Sequence, residues 1–315
     1  MKLSLKYSSI FVVSVLLCSA CTPPKCPSAT STITIDSTLQ SVVQHHVSEA
    51  TLRLQAEWGM GFLWDMQNAS VCAMYCTDTM VNYSYEPLEM GTIMQPFTIL
   101  AALSSDNISY NVVDTAMTIH DIIASSSTNA TYTLASHAYA NNPIKVIEFL
   151  QDIGGNIEVD TTAIKSINDI STIYYGYHYR ITPIHLMSLY ANLVKNQLQC
   201  DTLAQQLICQ GLHDVVWNNE LGTASVNPWG GRKAQSDIVS IAGKTGAAQI
   251  YKEGKYHDKR HRISFVGYFP KDNPHYICLI ILNEPQFPYD AGTDCGGCVR
   301  KIAEEIYSET TIKCN

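Results

Sequence analysis

The chain of 315 residues carries little charge, 15% of its residues, and no basic excess: 20 Lys and Arg stand against 28 Asp and Glu, a net charge of −8. That balance excludes a general surface for nucleic acid or for an anionic membrane, and no nucleic-acid partner is expected. Long disordered stretches are absent. So is any internal repeat. The apolar run from Ile10 to Leu17 is too short to span a bilayer comfortably. A metal site would need converging Cys and His pairs at set spacing. One Cys-x-x-Cys, Cys295 to Cys298, has no partner motif, so neither a metal nor a cofactor is expected.

What is present describes a globular protein. Hydrophobic residues make up 46% of the chain, and its length suits one large domain or two small ones. Residues 1–21 read as an export signal: Lys2 and Lys6, then an apolar core, then Ser19-Ala20 before Cys21. Residues 22–31, rich in Pro, Ser and Thr, have the composition of a tether. Eleven cysteines are many for this length. Export permits disulfides, and Cys72 with Cys76, Cys200 with Cys209, and Cys295 with Cys298 lie close together in sequence. Local disulfides or free thiols are the alternatives to a metal site.

Residues 239–250, Val-Ser-Ile-Ala-Gly-Lys-Thr-Gly-Ala-Ala-Gln-Ile, organise the rest. Val239, Ile241 and Ala242 read as the start of a buried strand. Alternation puts Lys244 and Gly246 on one face and Thr245 on the other. Gly246 lets another backbone or a ligand approach closely. Lys244 can attract a carboxylate on the glycine's face.

Further elements follow from pattern. A helix with Leu39, Val42, Val43, His46 and Val47 on one face follows Asp36-Ser37. Two strands, residues 59–64 and 69–75, flank a turn at Asp65, Gln67 and Asn68. A buried helix covers residues 95–103, and residues 110–124 read as a surface excursion. Helices are expected at 143–153, from Pro183, and at 207–217; strands at 264–270 and 276–282; and a closing helix at 299–307. Lys255 to Arg262, a basic run, reads as a solvated hairpin loop or a contact for anionic glycan or lipid.

Lys244-Thr245-Gly246 inside Ala-Gly-Lys-Thr-Gly-Ala-Ala-Gln resembles a box of the serine β-lactamase and penicillin-binding protein superfamily, in particular the transpeptidase domain of high-molecular-weight penicillin-binding proteins. Gln95-Pro96-Phe97-Thr98, Tyr174-Tyr175-Gly176, Ile181-Thr182-Pro183 and Gly222-Thr223-Ala224 are similar to flanking motifs of that family. The resemblance spans residues 32–308. It implies an α/β (α+β) fold of β-lactamase/transpeptidase type: a five-stranded antiparallel sheet flanked by helices, plus an all-helical subdomain. It also implies an exported, cell-envelope or periplasmic location, and the segment ending at Cys21 resembles a lipoprotein box, with Cys21 lipidated and anchoring the chain to a membrane.

The family acylates a serine with a D-Ala-D-Ala peptide or a β-lactam, using Ser-x-x-Lys, Ser-x-Asn and Lys-Thr-Gly boxes. By resemblance, Thr92-Ile93-Met94-Gln95 lies over the first box, so Thr92 takes the nucleophile position and Gln95 the base position. A β-branched hydroxyl is stiff, and an amide accepts no proton near neutral pH. Residues 80–110 contain no lysine, so no alternative register restores the box. Ser136-His137-Ala138 is aligned with the second box, with Ser136 kept and Ala138 replacing the asparagine. Lys244, Thr245 and Gly246 are kept as substrate-binding residues. The expected protein is a catalytically degenerate envelope lipoprotein that binds peptidoglycan stem peptide, β-lactam or another envelope protein. The alternatives are a slow D,D-transpeptidase or carboxypeptidase acting through Thr92 or Ser136, and a β-lactam sensor.

Overall fold

The computed structural model describes residues 32–80, 82, 84–105, 117–139, 142–159 and 171–313. The signal and tether expected over residues 1–31, Cys21 included, lie outside these. Among the described residues, no helix is long and apolar enough to cross a membrane.

A six-stranded sheet forms the centre. Its strands are β1 (Thr32–Ile33), β2 (Trp58–Asp65), β3 (Ser70–Cys76), β6 (Ala242–Lys252), β7 (Lys255–Phe269) and β8 (Tyr276–Asn283), in the order β1-β3-β2-β8-β7-β6. Five strands are antiparallel, as expected; the two-residue β1 adds a parallel edge on β3. β2 and β8 occupy the middle and are buried almost throughout, which is why both read as near-continuous apolar runs. The β2–β3 turn is held by Asp65, whose Oδ1 accepts from the N–H groups of Gln67 and Asn68.

Helix α1 (Ser37–Arg53) starts at Asp36, whose carboxylate accepts from Thr38 and Leu39 N–H at 2.9 and 3.0 Å. Its buried stripe of Val42, Val43, Val47 and Ala50 covers the β2 and β3 side of the sheet. Gly61 on β2 makes room for it, since a Cβ there would stand 2.5 Å from Val47. The closing helix α8 (Gly297–Lys313) packs beside α1 and over β7 and β8.

The remaining helices form the helical region: α2 (Gln95–Leu103), α3 (Ile119–Ala124), α4 (Thr128–Tyr139), α5 (Ile144–Asp152), α6 (Pro183–Val194) and α7 (Thr202–Trp217). α2 is its hub. All nine of its residues are buried, and it contacts α4, α5 and α7. Part of the expected excursion at 110–124 is instead α3, a capping-box helix with Ile119, Ile122 and Ile123 buried. A two-stranded ribbon, β4 (Glu158–Val159) with β5 (Tyr179–Arg180), closes this region.

One sequence expectation changes, and one pair of alternatives resolves. The basic run Lys255 to Arg262 is the outer half of β7, paired with β6 across the turn at Glu253-Gly254. β7 meets β8 only from Arg262 onward, so residues 255–261 form a ribbon of just two strands with little to bury. The described cysteines 72, 76, 200, 209, 278, 295 and 298 are free thiols. Burial pushes the Cys72 and Cys298 thiols up to about 12, which keeps them protonated and unreactive.

Candidate active site

Three segments converge where β6 meets the helical region. The first is a 3-10 turn, Gly91–Met94, leading into α2. Gly91 has φ +58°, and a Cβ there would lie 2.0 Å from the Ala247 carbonyl oxygen. Only glycine lets this turn press so close to β6. The turn is held from behind by Tyr190, whose hydroxyl donates to the Ile93 carbonyl at 2.6 Å and whose ring packs edge-on against Phe97. Thr92 thereby faces the strand, and its Oγ1 accepts from the Ala247 N–H at 3.1 Å.

The second segment is β6. Lys244 and Gly246 share one face, as alternation requires. A Cβ on Gly246 would lie 2.7 Å from Ile93 Cβ and 2.3 Å from Ser264 Oγ, so its absence admits the Thr92 turn. Thr245 is on the other face, and its hydroxyl pairs with that of Thr223 at 2.8 Å. Lys244 is fully buried. Its Nζ donates to Ser126 Oγ at 2.7 Å and to the Thr245 carbonyl at 2.9 Å. Burial pushes the Lys244 ammonium down to about 7, since a charge in the interior loses its hydration.

The third segment is the turn between α3 and α4. Ser126 sits there with φ +54°, a left-handed conformation that costs a residue with a side chain about 1 kcal/mol or more. Its hydroxyl accepts from Lys244 and donates to Gln95 Oε1 at 2.7 Å. Gln95 Nε2 reaches back to the Ser126 carbonyl at 3.4 Å. Gln95 is completely buried. Lys244, Ser126 and Gln95 thus form one relay of side-chain hydrogen bonds with both hydroxyl roles of Ser126 in use.

A cleft of about 370 Å³ opens beside Thr92, lined also by Thr172, Tyr177, His178, Ala247, Gln249, Tyr256 and His261. Its far wall is ordered around Glu89. Glu89 Oε1 accepts from Tyr256 Oη at 2.8 Å and from the His178 N–H at 2.7 Å. Burial raises the Glu89 carboxyl above its usual range, and burial lowers the His261 imidazole. The Tyr177 hydroxyl accepts from the Gln249 N–H at 3.1 Å, fixing the strand edge at the cleft.

The family model for the penicillin-binding protein transpeptidase domain matches residues 95–307. The chain belongs to this family. It is similar to a peptidoglycan D,D-transpeptidase FtsI of Buchnera aphidicola, 24% identical over 89% of this chain and 59% of the relative. It is also similar to stage V sporulation protein D of Bacillus subtilis, 32% identical over 26% of this chain and 13% of that protein. The chain thus spans less than two thirds of each of these relatives. Among solved structures, the apo transpeptidase domain of penicillin-binding protein 3 from Burkholderia pseudomallei superimposes with a TM-score of 0.73 at 19% identity, covering 91% of this chain and 98% of that one. The transpeptidase domain of an FtsI-type D,D-transpeptidase from Legionella pneumophila gives a TM-score of 0.69 at 19% identity, over 88% and 99%.

Within that fold, Thr92 lines the cleft, Gly246 lies against the Thr92 turn, Gln95 and Lys244 are buried and joined through Ser126, and Thr245 faces Thr223 on the other side of β6. Ser136 and Ala138 do not join them. Ser136 lies inside α4 and its hydroxyl donates to the Tyr132 carbonyl of its own helix at 2.6 Å; Ala138 is buried in the same helix. The hydroxyl beside Lys244 is Ser126, ten positions earlier (136 − 126 = 10). Sequence reading missed it because the second box was aligned at Ser136-His137-Ala138, although Ser127-Thr128-Asn129, one residue on from Ser126, spells Ser-x-Asn. The available signal was that triplet within a serine cluster that reads as a turn between two helices. His178, Tyr256 and Glu89 also went unmarked, being separated in sequence and assembled only by the fold.

Proposed function

We propose that this chain is a catalytically degenerate penicillin-binding protein transpeptidase domain that binds a peptidoglycan stem peptide, or an envelope partner presenting a similar carboxylate-ended segment, without cleaving it. The observation that carries this reading is the state of Gln95. An amide occupies the base position, buried and held at both ends by Ser126. It cannot take the proton of the Thr92 hydroxyl, and that hydroxyl is turned toward the Ala247 N–H. Binding is left to the Thr92 side of the cleft, the exposed edge of β6 at Ala247, and Thr245 with Thr223. Lys244 lends positive charge from beneath through Ser126. Residues 1–21 act as a lipoprotein-type signal, Cys21 as the lipid-bearing residue and 22–31 as a tether, which puts residues 32–308 in the cell envelope.

One observation favours a second reading, slow acyl transfer through Thr92. Lys244, with its ammonium lowered to about 7, is partly neutral at physiological pH, and its free lone pair can accept a proton once the Ser126 hydroxyl turns from Gln95 to Nζ. The two readings separate on intact mass after incubation with a labelled penicillin. Unchanged mass, with the ligand still detectable as a reversible complex, supports binding; a stable adduct on Thr92 overturns it in favour of acylation.

A further inference from the structure

The outer turn of α1 carries His45, His46 and Glu49, whose ligand-type atoms all lie within 4.8 Å of one another. His46 is buried, 8% exposed. Its Nε2 lies 2.8 Å from Glu305 Oε2 on α8. A carboxylate oxygen accepts, so Nε2 carries the hydrogen, and in a neutral ring Nδ1 keeps its lone pair. That Nδ1 is buried and has no hydrogen-bond partner. Glu49 Oε2, another acceptor, lies 3.8 Å from it. A buried lone pair aimed at a carboxylate is unfavourable in itself, and a cation between them removes the conflict.

The neighbours complete a donor set. His45 and Glu49 are four residues apart and share a helix face, and the His45 and His46 rings meet edge-on at 4.9 Å. His45 and Glu49 are exposed, so both side chains can rotate to close on an ion. Lys301 on α8 holds the Glu49 oxygens at 2.9 Å each, yet each oxygen keeps a second lone pair. The Glu305–His46 contact is the outer-shell arrangement that fixes the tautomer and orientation of a metal-binding imidazole. Two imidazoles and one carboxylate suit a borderline divalent cation and leave a fourth position for water.

We propose that His45, His46 and Glu49 bind a divalent cation of the zinc class at the seam of α1 and α8, with Glu305 as the residue that positions His46. The site lies on a different layer from the Thr92 cleft and does not depend on what that cleft does. The test is calorimetric titration of the untagged, chelator-treated chain with ZnCl2, with Co2+ absorption as a second readout. The expected result is one ion per chain, with visible bands of a nitrogen- and oxygen-ligated cobalt. His45→Ala and Glu49→Gln, both at exposed positions, are expected to weaken affinity at least tenfold. Glu305→Gln is expected to weaken it ten- to a hundredfold while the stoichiometry stays one. His213→Ala, which removes a histidine beside Asp214 on α7, leaves it unchanged. Absence of saturable binding at sub-millimolar Zn2+, or binding that survives His45→Ala and Glu49→Gln undiminished, would overturn the assignment.

Discussion

Lys244→Met tests whether the buried lysine titrates near neutrality. In the unfolded chain its ammonium has the ordinary value near 10.5, and in the fold it is lowered to about 7. The unfolded state therefore binds the extra proton between those limits, and stability must rise with pH across that window. The cost of burying the ammonium is fully present below about pH 7 and is relieved only as pH climbs toward 10.5. One pKa unit is about 1.4 kcal/mol, so the full span is worth about 5 kcal/mol, with about 2–3 kcal/mol of it recovered between about pH 6 and pH 9. Methionine fills nearly the same volume with no charge. Every other titrating group is common to both proteins and cancels in the difference. Denaturant unfolding of both, repeated across that pH range, should show the native protein gaining about 2–3 kcal/mol relative to Lys244→Met. Parallel stability curves would refute the claim that Lys244 is desolvated in the folded cleft.

Ser126→Ala should cost about 1–3 kcal/mol, because it strands the Lys244 donor and the Gln95 acceptor in the interior, whereas Ser136→Ala should stay within about 0.5 kcal/mol; thermal or chemical unfolding of the pair distinguishes them. Gly91→Ala forces a Cβ to 2.0 Å from the Ala247 carbonyl at a left-handed φ, so it should destabilise by about 2 kcal/mol or more and abolish ligand binding beside Thr92, read by melting temperature and by titration. Installing Thr92→Ser with Gln95→Lys supplies an unhindered hydroxyl and an amine beside Ser126; mass spectrometry should then detect a penicillin adduct that the native chain does not form.

The elements legible in the sequence are those whose burial is one-sided or complete along a regular element. α1 announced itself by its Asp36 cap and valine stripe, α2 by an unbroken apolar run behind Gln95-Pro96, and β8 by its isoleucines. β6 was legible through Lys-Thr-Gly, although the strand begins at Ala242 rather than Val239. The outer half of β7 was hidden because a two-stranded ribbon imposes no apolar alternation. Half of the site was legible for the same kind of reason. Thr92, Gln95 and Lys244 sit on elements whose flanks fix the register. Ser126 sits in a turn, where several serines compete and only the approach of β6 decides which one meets Lys244. The burial of Lys244 was invisible for a further reason. Sequence pattern expects a lysine to reach water, and the packing of the Gly91–Met94 turn and the α3–α4 turn against β6 closes it off.

The central claim is that the cleft binds without acylating. Intact-mass spectrometry of the native chain after prolonged exposure to a labelled penicillin tests it most directly. The predicted result is the unmodified mass; a stoichiometric adduct that maps to Thr92 and disappears in Lys244→Met would contradict it.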